Sequence, residues 1–297
     1  MSSIAFNTYA SGIEIAPVSS SSVTLAPQST SSLPLAGRLI PQNTTEGLAV
    51  VSTIFNNFIQ GKDSQVTVQG ASAGPTDVSL MTMLLCMLLR SIKVTWLNEG
   101  IQTLQVVTSL PNQGKLNIIQ SIALEQMELL FTEATAYDPM SSSNATTAAF
   151  TLPFAFPVDI TSLSQNITVG FNGQSFAELV IPDAPSTTDV QSRIIYLTFS
   201  DVPFAVFADQ HSVFDNFVAA TTLENEQTLA LSGAANAAAS TAVGVLSLSN
   251  IEFSVDSSIA GLQGLVTKPA TVANLDVNHG YSDYLLITVD TTLYNPR

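Results

Sequence analysis

The chain has 297 residues, enough for two domains that each bury a core without disulfide bonds. Charged residues make up 10% of it, and 23 acidic residues against 8 basic ones give a net charge of −15. Such a negative field repels nucleic-acid phosphates and anionic lipid headgroups, so we expect no nucleic-acid partner.

The first residues, 1–36, are rich in Ser, Thr and Ala and alternate between apolar and polar side chains at 13–15 and 23–25. They form either a disordered tail or the marginal strands of a first β unit. Residues 37–40 parallel 192–195, which lie in a region with a clear strand pattern, and this parallel favours strands.

Two segments carry the pattern of short amphipathic helices. In 45–59 apolar residues recur every three or four positions, Thr44 or Thr45 can cap the first turn, and Gly61 follows the last. Residues 212–220 repeat this pattern. A β-strand is predicted after each helix: 65–69 and 228–231.

The longest apolar stretch, 80–89, contains three of the six methionines and the single cysteine, Cys86. It is shorter than the roughly 20 residues that cross a bilayer, and no basic, apolar leader follows Met1. We therefore expect a membrane connection only through an anchor that this chain does not contain. The stretch is interpreted as a buried helix or strand, or as a loop that touches a membrane, and Cys86 as a buried, inert thiol.

Strands are predicted over much of the remaining chain, because β-branched and aromatic residues are frequent and several runs alternate with period two. Asn172-Gly173 lies between two alternating runs, which is typical of a two-residue hairpin turn. The predicted runs are 115–131, 166–171, 176–181, 193–199, 244–255 and 284–294.

Four short segments recur in the same order about 160 residues later along the chain. An interval of this length matches an ordinary domain rather than a short solenoid repeat. We therefore predict a mostly β protein of tandem β-sandwich units, each with one short helix. The recurring pairs are 55–58 with 214–217, 66–70 with 229–233, 92–94 with 251–253, and 137–139 with 294–296.

A set of short motifs carries a resemblance to a known family. The motifs are 118–122 with Phe131, then 137–139, 154–157, 169–173, 202–204, 214–217, 241–244, 275–277 and 293–296. Together they resemble a fungal family of unknown function, found mostly in membrane-anchored proteins of the vacuole or secretory pathway. Its β-domains are similar to those of the late-embryogenesis-abundant type 2 family. That pattern has an Asn-Pro turn where this chain has Asp138-Pro139, and either residue closes an Asx turn.

The resemblance covers residues 37–297 and implies late-embryogenesis-abundant type 2-like domains on the lumenal or outer face of a fungal membrane. We expect a partial first β unit at 1–110, a complete β-sandwich at 111–247, and the start of a further, truncated unit at 248–297. The chain then resembles a fragment of a longer protein. Incomplete units leave sheet edges bare, so we expect protein partners or self-association through those edges.

The polar residues show no catalytic constellation. His211 and His279 are far apart in the sequence, and no Gly-x-Ser-x-Gly, phosphate-loop or calcium-loop motif is present. The aspartates are interpreted as solvated surface residues. We expect no catalytic residues, no metal and no cofactor, and so not an enzyme; a hydrolase is the weakest alternative, since only its Ser and Asp residues are plentiful.

Three Asn-x-Ser/Thr triplets, with no Pro in the middle, fall at predicted loops or strand starts. They are either glycosylation sites of a lumenal protein or structural residues at helix and strand ends. The candidate acceptors are Asn43, Asn144 and Asn166.

An excess of phenylalanine in one unit has two interpretations: the lining of an apolar groove between sheets, or a plain sandwich core. The residues are Phe154, Phe156, Phe171, Phe176, Phe199, Phe204 and Phe207. We expect a non-enzymatic scaffold that works through protein contacts. The alternative is a lipid-binding or lipid-transfer module that uses the groove.

Overall fold

The computed structural model describes residues 3–20, 34–74, 95–112, 114–153 and 156–294. Of these, 59% lie in strands, which confirms the predicted mostly β fold. The apolar stretch 80–89, with Cys86, and the groove candidate Phe154 lie outside the described residues.

The chain divides into two compact units. The first consists of Met1–Leu116, Phe156–Val158 and Ala238–Ser249. The second consists of Asn117–Ala155, Asp159–Ala237 and Asn250–Arg297.

The first unit contains a five-stranded sheet with the strand order β3-β2-β1-β4-β5. Residues 3–20 form the hairpin β1–β2, so the strand interpretation of this region is correct where the structure describes it. The elements are β1 Ser3–Ala10, β2 Ile13–Ser20, β3 Ala36–Gly37, α1 Thr45–Ile59, β4 Ser64–Gly74, α2 Thr95–Gln102 and β5 Gln105–Leu110.

Helix α1 has the bounds that its sequence pattern predicted. The Thr44 side chain accepts a hydrogen bond from Gly47 N at 3.1 Å, which caps the first turn. Within the same unit the helix binds the end of the later hairpin at 238–249: Ser247 N donates to Ser52 Oγ at 3.0 Å, and Ser249 N donates to Asn56 Oδ1 at 2.9 Å. The first unit therefore includes residues from two distant parts of the sequence.

The second unit contains a seven-stranded sheet with the order β12-β11-β8-β9-β10-β7-β6, and a separate hairpin, β13–β14. Its first strands are β6 Ile119–Leu130, β7 Met140–Phe150, β8 Asp159–Phe171, β9 Gln174–Asp189 and β10 Ile194–Val206. Then follow α3 His211–Leu223, β11 Glu226–Thr241, β12 Gly244–Ala260, β13 Thr271–Gly280 and β14 Leu285–Thr292.

The two units repeat one topology. The first unit's order β3-β2-β1-β4-β5 corresponds strand for strand to β10-β9-β8-β11-β12. Along the chain, helix α1 lies between β3 and β4, and helix α3 lies between their counterparts β10 and β11. The corresponding hairpins β1–β2 and β8–β9 each turn through two left-handed residues. These are Ser11-Gly12, with φ of 49° and 81°, and Asn172-Gly173, with φ of 51° and 80°. These values suit a type I′ turn, as the Asn-Gly pair predicted.

The repeated sequence segments occupy equivalent places. Phe55 on α1 and Phe214 on α3 are both buried. Gly70 on β4 and Gly233 on β11 each lie against a backbone carbonyl oxygen, of Ile101 and Asn166 respectively, with no room for a Cβ atom. The recurring glycine is therefore explained by close backbone approach rather than by a turn.

We expect Gly233→Ala to lower the free energy of unfolding by about 1–3 kcal/mol, because the added methyl group overlaps the Asn166 carbonyl and forces the strands apart. Gly170→Ala is the control, since a Cβ there meets its nearest neighbour at 3.4 Å in ordinary contact. Urea unfolding of both variants checks the difference. Equal stabilities would contradict the close approach.

Candidate functional site

The core of the second unit is a cluster of phenylalanines between helix α3 and the sheet. Phe176 on β9 has no exposed surface, and its ring centroid lies 5.3 Å from Phe217 and 6.0 Å from both Phe204 and Phe214. Phe171 adds an edge-to-face contact with Phe217 at 5.7 Å. Such pairs contribute roughly 0.5–1.5 kcal/mol each beyond their buried area, so they fix the helix on the sheet.

The structure distributes the predicted groove residues over different environments. Phe171, Phe176, Phe199 and Phe204 are buried in the second unit, and Phe207 is half-buried. Phe156 belongs to the first unit, where its ring meets Phe55 edge-to-face at 6.0 Å. The structure thus brings Phe171, Phe176 and Phe204 into one core cluster, and not the whole set.

A cavity of about 580 Å³ lies beside this cluster, wholly within the second unit. Strand β6 forms one wall with Leu124 and Met127, and the second half of α3 forms the opposite wall with Val218 and Thr221. Of the predicted groove residues Phe204 lines it. Because β6 lies at one edge of the sheet and Ile259, near the other edge, also lines the space, the seven-stranded sheet curls around it.

The sequence of α3 explains why the space is not filled. After Phe214 and Phe217, which pack against Phe176, the helix lines the cavity with the smaller side chains of Val218, Thr221 and Thr222. The alternation of β6 also changes at Gln126, a non-glycine residue with φ of 51°. Neither feature resembles a known ligand motif, so these walls could not be predicted from the sequence.

The mouth of the cavity is apolar and exposed. Leu130 is 66% exposed and Phe131 is 46% exposed, although both line the cavity. The exposed side chains of Gln126 and Glu128 lie on the same wall. An apolar chain can therefore enter here while a polar end stays in water.

One hydroxyl group in the cavity wall has no partner. Thr221 is 8% exposed, and its Oγ1 makes no hydrogen bond to any described residue. The neighbouring Thr222 Oγ1, in contrast, donates to the Val218 carbonyl at 2.8 Å. Buried polar atoms are normally hydrogen-bonded, so Thr221 Oγ1 is a candidate contact for a bound ligand.

The histidines lie apart from this cavity. The His211 ring stacks on Tyr137 with centroids 3.6 Å apart, and His279 meets Tyr281 at 4.7 Å in hairpin β13–β14. Tyr137 donates from its hydroxyl to Asp215 Oδ2 at 3.4 Å. Over the described ranges there is no cluster of three or more His, Cys, Asp or Glu residues that could hold a metal ion.

The three candidate glycosylation sites are all exposed. Asn43 precedes the capping residue Thr44 of α1. Asn144 lies within β7 and Asn166 within β8, so these two occupy strands rather than the loops or strand starts that were predicted. Within the part of the chain that is described, no helix is long and apolar enough to cross a membrane.

Comparison with known proteins gives one family. Residues 175–296, from β9 through β14, match the family described as "Protein of unknown function (DUF3712)". This stretch is therefore similar to an uncharacterised domain family, and the match includes helix α3 and hairpin β13–β14. Neither a curated protein nor a solved structure matches the chain.

We expect Thr221→Val to raise the free energy of unfolding of the ligand-free protein by about 1 kcal/mol, because it removes a buried hydroxyl that has no partner. Thr222→Val is the matched control, one residue away on the same helix. Thr222→Val removes the hydrogen bond from Thr222 Oγ1 to the Val218 carbonyl, so we expect it not to raise the free energy of unfolding. Thermal and urea unfolding measure both; a loss of stability in Thr221→Val would show that its hydroxyl is satisfied.

Proposed function

We propose that the second unit is a non-enzymatic module that binds an apolar ligand of the acyl-chain type in the cavity between β6 and α3. The observation that supports this proposal is the cavity of about 580 Å³ with its exposed apolar mouth. Its size falls within the roughly 300–1,000 Å³ of small-molecule sites. We therefore propose this cavity, lined by α3 and β6, as the place of the predicted lipid-binding role.

The chemistry of the walls supports an uncharged, flexible ligand. Each methylene group that leaves water for the cavity contributes about 0.8 kcal/mol. The net charge of −15 disfavours an anionic headgroup close to the surface. We therefore propose that the chain portion of the ligand is bound inside and that its polar end lies outside, beside Gln126 and Glu128, or contacts Thr221 Oγ1.

The protein-contact scaffold is the second candidate function. It is favoured by hairpin β13–β14, in which every residue is exposed. Large apolar side chains in this hairpin lie in water, and such surfaces mark sites of protein interaction.

We also infer the setting that the resemblance implies: a late-embryogenesis-abundant type 2-like protein at the lumenal or outer face of a fungal vacuolar or secretory-pathway membrane. The Asp138-Pro139 turn supports the resemblance, since it lies directly before β7 and the Pro139 carbonyl accepts a hydrogen bond from Phe204 N at 2.9 Å. Exposure of Asn43, Asn144 and Asn166 supports a lumenal location.

Binding of the neutral lipid monoolein tests the cavity. We expect the wild-type chain to bind one monoolein by native mass spectrometry, and Val218→Trp to weaken binding about tenfold or more, because the indole fills part of the cavity. Val213→Trp is the control: it is half-buried on the same helix but does not line the cavity.

Two results would contradict the proposed site. One is a wild-type chain that binds no monoolein. The other is equal binding by Val218→Trp and Val213→Trp, which would place the ligand elsewhere. Circular dichroism of both variants confirms that the fold is retained.

Glycosylation tests the location. In a chain targeted to the secretory pathway of a fungal host, we expect endoglycosidase treatment to shift the electrophoretic mobility, because the acceptor side chains are exposed. Asn43→Gln, Asn144→Gln and Asn166→Gln are each expected to remove one step of that shift. A chain that reaches this compartment without any shift would contradict the glycosylation.

A further inference from the structure

Hairpin β13–β14 has one apolar face and one mostly polar face, on which Leu286 is the large apolar exception. In its register Val277 lies opposite Ile287 and Asp276 lies opposite Thr288, so the two pairs point to opposite faces of the hairpin. Alternation along β14 places Leu285 and Val289 with Ile287. On the other face the Asn274 side chain donates to Asp290, and the Asn278 side chain bonds Thr288.

The apolar face lies in water. Val277, Ile287 and Leu285 are 55%, 52% and 64% exposed, and Val272 on the same face is 66% exposed. Among the described elements β13 and β14 pack substantially only against each other. A two-stranded hairpin alone is marginally stable in water, so this one needs a third strand or a surface that covers its apolar face.

The second unit shows how a strand pair of this kind is used. There β10 pairs with β7 over Ile194 to Pro203, and β7 pairs in turn with β6. The pair β6–β7 follows β5 along the chain and covers the outer edge of the next unit's sheet. Hairpin β13–β14 follows β12, the counterpart of β5, and thus has the same place in the repeat.

The first unit shows the corresponding edge without such a pair. Its counterpart of β10 is β3, which is only Ala36–Gly37, and no other described strand pairs with its outer side. Two exposed leucines flank it, Leu35 at 44% and Leu39 at 38%. Exposed apolar edges of this kind recruit strands from other chains.

We propose that a second copy of this chain supplies the missing partner: hairpin β13–β14 of one copy adds to the β3 edge of the first unit of another. The contact continues the tandem order, because the hairpin takes the position that β6–β7 has beside β10. The two surfaces differ, so the association is head-to-tail and leaves one free hairpin and one free edge at its ends. The inference rests on the protein-contact function and is independent of the cavity.

Electrostatics set the conditions of this association. Two copies of net charge −15 repel each other at low ionic strength. The carboxylates of the hairpin's two strands, Asp276 and Asp290, lie on its polar face, away from its apolar face. Added salt screens the repulsion, so we expect association to strengthen as the salt concentration rises.

Analytical ultracentrifugation of the full chain tests the proposal. We expect dimers and larger species of the wild type at about 100 µM, and at least a tenfold weaker association for Ile287→Asp. Thr292→Asp is the control, since it adds the same charge to β14 on the polar face, opposite the uncharged Thr271; it retains association. Leu35→Asp at the receiving edge is expected to weaken association as Ile287→Asp does.

Mixing the two defective variants identifies the geometry. Ile287→Asp keeps an intact β3 edge and Leu35→Asp keeps an intact hairpin, so a mixture forms a one-to-one dimer at concentrations at which neither variant associates alone. No dimer in the mixture would overturn the proposal, as would a wild type that stays monomeric in high salt. Association that is lost in Ile287→Asp but retained in Leu35→Asp would also overturn it, in favour of hairpin-to-hairpin contact.

These outcomes separate the proposals. A monomeric wild type that still binds monoolein overturns the self-association alone. A monomeric wild type that binds a different protein, with loss on Ile287→Asp and retention on Thr292→Asp, overturns the self-association and keeps the scaffold function.

Discussion

The second unit depends on the burial of Phe176 against helix α3. The ring has no exposed surface and contacts Phe204, Phe214 and Phe217. This packing fixes α3 inside the curled sheet and so determines what lies next to β6. The space there stays open because the residues of the helix that follow are small, Val218 and Thr221. One well-packed end of the helix and one loosely packed end produce both the core and the cavity.

The sequence predicted the elements whose signal is local. Helix α1 was predicted with its observed bounds because its apolar period, Thr44 and Gly61 agree. The turn at Asn172-Gly173 was predicted because few residue pairs adopt two left-handed conformations. Strand β7, Met140–Phe150, was missed: its serines and threonines carry little apolar alternation, and pairing with β6 and β10 on both sides makes it a strand.

The candidate site was harder to predict than the fold. Phenylalanine content indicated where the second unit buries its aromatic rings, and four of the named residues are buried there. The cavity walls come from β6 and α3, segments about 90 residues apart whose approach depends on sheet curvature. Strand β11 was predicted to end at 231 but continues to Thr241. The added part is rich in alanine, which has a weak strand propensity, and it is a strand because it pairs within the sheet.

The hydrogen bonds from residues 247 and 249 to helix α1 affect how the chain folds during its synthesis. Ser52 and Asn56 find these partners more than 190 positions further on, so the first unit has contacts of very high sequence separation. During synthesis its helix emerges from the ribosome long before residues 238–249 are translated. The amino-terminal unit therefore completes its folding only after most of the polypeptide exists, and it relies on slow, non-local closure rather than on vectorial folding.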